Sequence, residues 1–206
     1  MAILEPIPNG VRIPLINYFT QELIVKEYQQ QALQTLAEVA SPYEGLQHAG
    51  FGMMTEVGEI LDTYKRHRFY KVPLDKKNLI EEVGDVLWYI AIAYHFLGKE
   101  MELPVGVPTE HFTPELDLIL GRVGQSASHF FTIIMCYEDS WTEEFIEYDL
   151  DKLYKWLNYL VVSELGSTIQ ECANANITKL SKRYPDKTWT QVAALNRNTE
   201  NELSHI

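Results

Sequence analysis

From Gln21 onward, apolar residues return at helical spacing in one segment after another, and proline or glycine stands between the segments. No other feature constrains the fold as much. A sheet needs runs that alternate with period two, and no convincing series of them is present, so the pattern predicts an all-α helical bundle. Leu23, Val25, Ala32, Leu33 and Leu36 mark a first helix, expected to stop before Ser41-Pro42 because the residue before proline avoids helical backbone angles. Further helices are expected from about Tyr43 to Lys65, Lys77 to Leu97, Glu115 to Tyr137, Asp149 to Leu165 and Thr168 to Arg183. Asp75 or Asn78 is the cap of the helix that begins at Lys77. Residues 1–19 hold three prolines and read as an irregular arm, and "GKEMELPVGVPTEHFTP" reads as a loop.

With 206 residues, of which 46% are hydrophobic, the chain suits a single domain with a substantial core. Its expected organisation is an arm (1–19), a central helical pair with the helix before it (20–98), an insert (99–167), and a closing helix with a tail (168–206). The formal net charge is −12, which argues against polymeric DNA or RNA as a partner, since phosphate backbones require clustered Lys and Arg. It leaves room for a small phosphate ligand, because a bound metal reverses the local sign. Cys136 and Cys172 offer neither zinc spacing nor a disulfide framework and read as reduced thiols. The apolar stretch "VLWYIAIAYHFLG" is shorter than the ~20 residues a membrane span needs. With no signal-like start, the expectation is a cytoplasmic protein that does not contact membrane.

Against this background "MTEVGEILD" is unusual. It puts Glu56, Glu59 and Asp62 three residues apart, on one face of a helix that also carries Val57, Ile60 and Leu61. Gly58 is expected to allow that helix close packing. The next helix repeats the arrangement in "EEVGDVLWYI", with Glu82 and Asp85 at i and i+3. Glu81, at i−4 from Asp85, competes with Glu82 and is placed nearer the edge. Two helices joined by a short connector pack antiparallel, so Glu56 and Glu59 would face Glu82 and Asp85. Four converging carboxylates cannot all stay ionised without compensation. A hard divalent cation such as Mg2+, with Mn2+ as substitute, supplies it. The plain alternative is a set of exposed acids on solvated faces. A di-iron site would use Glu-x-x-His pairs, and Asp62 and Trp88 stand where those histidines would be.

The insert contains a degenerate echo of this hairpin. "RVGQSASHFF" matches "EVGEILDTYK", and "LYKWLNYLVVSELG" matches "DVLWYIAIAYHFLG". Gly124, Trp156 and Gly166 correspond to Gly58, Trp88 and Gly98, while Arg122, Gln125, Leu150 and Leu153 replace Glu56, Glu59, Glu82 and Asp85. The packing positions are kept and the acids are gone.

The stretch from His48 to Ala91 resembles the MazG-like branch of the all-α NTP pyrophosphohydrolases, in the form common among bacteriophages. "NITKLSKRYP" resembles that branch's closing segment, and "EYQQQALQT" its opening helix, with Gln34 where a basic residue is expected. The likeness covers about residues 27–98 and 168–203; usual short members lack the block between. It implies Mg-dependent hydrolysis of a (deoxy)nucleoside triphosphate to the monophosphate and pyrophosphate, in nucleotide-pool control. Metal binding is carried onto Glu56, Glu59, Glu82 and Asp85, and Glu56 or Glu59 would orient the attacking water. Asn176, Lys179 and Arg183 lie on one face of the last helix and, with Lys65, are candidates for holding triphosphate; Tyr184 would stack on base or ribose. His48, Asp62 and Trp88 are further candidates, Trp88 as a wall for the base or as core. Among substrates dGTP is placed first, and a homodimer or homotetramer is expected. The alternatives are a non-catalytic helical nucleotide-binding or interaction module, and phosphoribosyl-ATP pyrophosphohydrolase activity.

Overall fold

A computed structural model of the protein describes residues 18–101, 114–137, 142–186 and 188–195, with the backbone alone for 18–25, 193 and 195. Residues 1–17 of the expected arm, most of the expected loop and the tail beyond 195 lie outside the described residues. The described chain is helical throughout, in the order α1 (Tyr18–Leu33), α2 (Pro42–Tyr70), α3 (Lys76–Phe96), α4 (Leu116–Cys136), α5 (Glu143–Leu160), a π-helical turn (Val161–Leu165), α6 (Ile169–Arg183) and α7 (Gln191–Leu195). No described helix is long and apolar enough to cross a membrane.

Local chemistry explains where the helices begin and end. Ser41 caps α2 by accepting from the Glu44 amide at 3.1 Å, with Pro42 at the first helical position, where its missing N–H costs nothing. The helix runs five residues beyond the expected Lys65, to Tyr70, and stops at Lys71 in a left-handed conformation (φ 59°). Asp75 is the N-cap of α3, accepting from the Asn78 amide at 3.0 Å. Thr168 and Glu171 form a reciprocal capping box at the start of α6. At its far end α1 departs from expectation, ending at Leu33 well before Ser41-Pro42. The Ala32 carbonyl there accepts from the Trp88 indole at 3.1 Å and the Thr35 hydroxyl at 3.0 Å, in place of a continuing helical ladder. Helix α5 starts at Glu143, earlier than the expected Asp149, and its last turn widens into the π-helical segment.

Two hairpins make the body. Helix α2 packs along α3 across the short connector 71–75, and α4 packs along α5. Helix α4 also lies on α2, so the hairpins share one core. Leu46, Ala49, Met53, Val57, Ile60 and Tyr64 form the buried stripe of α2, at spacings of three and four. Val83, Val86, Leu87 and Ile90 on α3, with Phe130, Ile134, Leu153 and Leu157, complete the same cluster. Each such fully buried aliphatic side chain contributes roughly 1.5–3 kcal/mol. Gly58 has open space around it, so close packing is not its role. Helix α6 rests on α3, with α1 against both. That placement brings the closing helix to the acidic face of α3.

Candidate metal centre

Glu56 comes from α2, and Glu82 and Asp85 come from α3. One carboxylate oxygen from each lies within 4.8 Å of the others, and all three residues are half-buried. Burial raises the Glu56 pKa, and the charge of Asp85 adds to the effect. Glu82 is pushed up to about 8, first by burial and then by the neighbouring acids Asp85, Glu56 and Glu81. Ionising this group in place is unfavourable without a cation.

Helix α6 supplies a cation and an amide. The Lys179 ammonium contacts both oxygens of Asp85, Oδ1 at 2.5 Å, and lies 3.1 Å from Glu81 Oε1. Lys179 is only 1% exposed. Asn176 Nδ2 donates to Asp85 Oδ1 at 2.8 Å. The Tyr28 hydroxyl from α1 lies 3.2 Å from Asn176 Oδ1 and 3.3 Å from the Gly84 carbonyl, sharing its proton between them. An amide whose oxygen is taken by a donor must turn its nitrogen the other way, so Tyr28 sets Asn176 to donate to Asp85. Close approach of α6 depends on Gly84: a Cβ there would meet the Cys172 carbonyl oxygen at 2.6 Å.

The structure therefore brings together Glu56, Glu82, Asp85, Asn176 and Lys179. Glu81 is not at the edge, as its position suggested, but buried and bonded to Lys179. Glu59 is exposed and outside the three-acid group. Lys65 and Asp62 pair with each other on the outer surface of α2. Arg183 ends α6, and Tyr184 is buried beside it, its amide donating to the Leu180 carbonyl at 2.8 Å. His48 packs edge-on against Trp88 and Tyr89, at 6.0 and 5.7 Å between ring centroids, and burial lowers its pKa. With its indole N–H on Ala32, Trp88 ties α3 to the end of α1. Sequence reasoning missed Tyr28 and the role of Glu81. The latter was signalled by its i−4 spacing to Asp85, which puts both on one face.

The donor set is all carboxylate oxygen, a set that could hold a hard metal ion. The pKa values of Glu56 and Glu82 are both raised, so a metal bound here would have to displace protons from the site. Comparison with known proteins finds no matching family model, no matching curated protein and no matching solved structure.

Proposed function

We propose that the protein is a Mg-dependent (deoxy)nucleoside triphosphate pyrophosphohydrolase of the MazG-like all-α type, releasing the monophosphate and pyrophosphate. The observation that carries this reading is the meeting of Glu56, Glu82 and Asp85 within 4.8 Å, with Lys179 and Asn176 reaching Asp85 from a third helix. A bound Mg2+ would neutralise phosphate charge and lower the pKa of a coordinated water. Glu82 and Asp85 would hold the ion from α3 and Glu56 from α2. Glu59, one turn on from Glu56 and open to solvent, is the proposed fourth ligand on the substrate side. Glu56, the α2 member of the three-acid group, is the proposed acceptor of the attacking water's proton. Asn176 keeps Asp85 in one orientation, and Lys179 offsets the charge of Asp85 and Glu81. Nothing in these contacts selects a base; dGTP stays first among substrates by resemblance alone.

The degenerate repeat belongs to the same reading. Its support is that Gly98 and Gly166, at matched positions, both adopt left-handed angles (φ 70° and 67°) at the ends of their hairpins. A homodimer or homotetramer is proposed with it. The buried Lys179–Asp85–Glu81 network favours one second reading, a structural clasp in a non-catalytic helical module.

Incubating the purified protein with each (d)NTP, with phosphoribosyl-ATP, and with Mg2+ or EDTA tests the proposal. Monophosphate and pyrophosphate formed only with metal are expected. Orthophosphate and a diphosphate would sink it. No turnover, together with no Mg2+ or Mn2+ binding by calorimetry, would favour the clasp.

A further inference from the structure

The second hairpin has a cavity of its own. It lies between α4 and α5, has a volume of about 560 Å3, and falls in the size range of small-molecule sites. Arg122, Lys152 and Lys155 line it, against the single carboxylate of Asp149. On a chain of net charge −12, three cations gathered round one concavity are a local reversal of sign. Arg122 and Gln125 stand here at the positions matching Glu56 and Glu59, and Leu150 and Leu153 at those matching Glu82 and Asp85. What would hold a metal in the first hairpin is replaced by what holds an anion without one.

Aromatic rings make up much of the rest of the lining, with Leu118, Gln125 and Ser126 beside them. Lys152 Nζ sits over the Tyr148 ring, 3.8 Å from its centroid, which holds the cation beside a π face. Trp156 and Tyr159 lie 5.4 Å apart between ring centroids and tilted by 35°, forming an apolar wall. Asp149, 3% exposed, binds His129 Nδ1 through Oδ2 at 2.7 Å and so fixes the ring at the rim. An Arg fork and two ammonium groups suit a phosphate, and aromatic faces suit a planar base. A ligand that carries both chemistries would use both parts of the lining.

We propose that the α4–α5 cleft is a metal-independent nucleotide-binding site, with the phosphate on Arg122, Lys152 and Lys155 and the base against Tyr148 and Trp156. Occupancy does not depend on turnover in the first hairpin, so the test is made where that hairpin cannot act. The protein in EDTA is titrated calorimetrically with AMP, GMP, CMP and UMP, with their nucleosides, and with inorganic phosphate. At least one monophosphate is expected to bind with one site per chain, about tenfold or more tighter than its nucleoside or phosphate alone. Arg122→Ala with Lys155→Ala, both at exposed positions, should weaken it about tenfold or more, and Trp156→Leu should do so while leaving the charge intact. Asp85→Asn should leave this binding unchanged. The proposal is overturned by no binding in EDTA, by phosphate alone binding as tightly as every nucleotide, or by binding that Asp85→Asn removes. Unaltered binding in folded Arg122→Ala/Lys155→Ala protein overturns it equally.

Discussion

Lys179 places its ammonium on both carboxylate oxygens of Asp85 from a position that is 1% exposed. Burying an ammonium this deeply is tolerable only where acidic partners are bonded to it, as Asp85 and Glu81 are. The pair therefore binds α6 to α3 and also offsets negative charge on the buried side of the acid cluster.

Lys179→Met keeps the side-chain volume and removes the charge. Glu81 and Asp85 then lack their ammonium, and in EDTA the variant should lose about 3–5 kcal/mol of stability. Mg2+ should recover part of that loss, because an ion that binds only the folded site stabilises by mass action. Calorimetric melting with and without Mg2+ measures both effects. Wild-type stability in EDTA would show that the buried pair contributes nothing.

Asp85→Asn and Glu56→Gln should each lower turnover by at least about 100-fold with unchanged helicity. Glu59→Gln should weaken Mg2+ less than Asp85→Asn does, since Glu59 stands outside the close three-acid group. Pyrophosphate release and metal titration give the ranking. The reverse order would move the centre of the site toward solvent.

The pH dependence of the metal-free protein follows from Glu82. Its folded pKa is raised from 4.5 to about 8, so between those values the folded state binds more protons than the unfolded one. Stability in EDTA should therefore fall as pH rises from 4.5 through 8. Glu82→Gln removes the ionisation and should be more stable than wild type at pH 8.5, by about 1–2 kcal/mol once partial solvation of the carboxylate is allowed for. In a chain of this length that is roughly 2–8 °C of melting temperature. Saturating Mg2+ should flatten the wild-type slope, and a slope indifferent to both changes would remove Glu82 from the cluster.

Gly84→Ala tests the approach of α6. The added carbon would lie 2.6 Å from a backbone oxygen of Cys172, which cannot swing aside. A cost of about 1–3 kcal/mol is expected. Activity should fall further than stability explains, because Asn176 and Lys179 retreat with the helix. Ala accepted without loss of either would mean that the helices do not meet so closely.

Much of this was legible in the amino-acid order, and the rest was not for identifiable reasons. Helix existence follows from apolar spacing, which is local. The end of α1 at Leu33 does not, because Trp88, far along the chain, takes the Ala32 carbonyl. The acid column on α2 was visible, yet residues three apart differ by about 60° round a helix, and the edge of burial falls between Glu56 and Glu59. On α3 the same angular step separates Glu82 from Asp85, but there α6 covers the Asp85 side. Which acids Lys179 would meet depended on that docking, which no local pattern encodes. Arg122, one of the cations of the α4–α5 cleft, was visible in the order of residues, but position by position its replacement of Glu56 signals only the loss of an acid.

The placement of α6 has a consequence in time. Lys179 is 94 residues from Asp85 and 98 from Glu81. At ordinary rates of synthesis the lysine emerges about 5–20 s after the acids it neutralises. A nascent chain that has already paired α2 with α3 carries its carboxylates through that interval without this ammonium, with protons and dissolved cations as the available countercharge. The closing helix thus docks onto an acid cluster whose charge has already been balanced from solution.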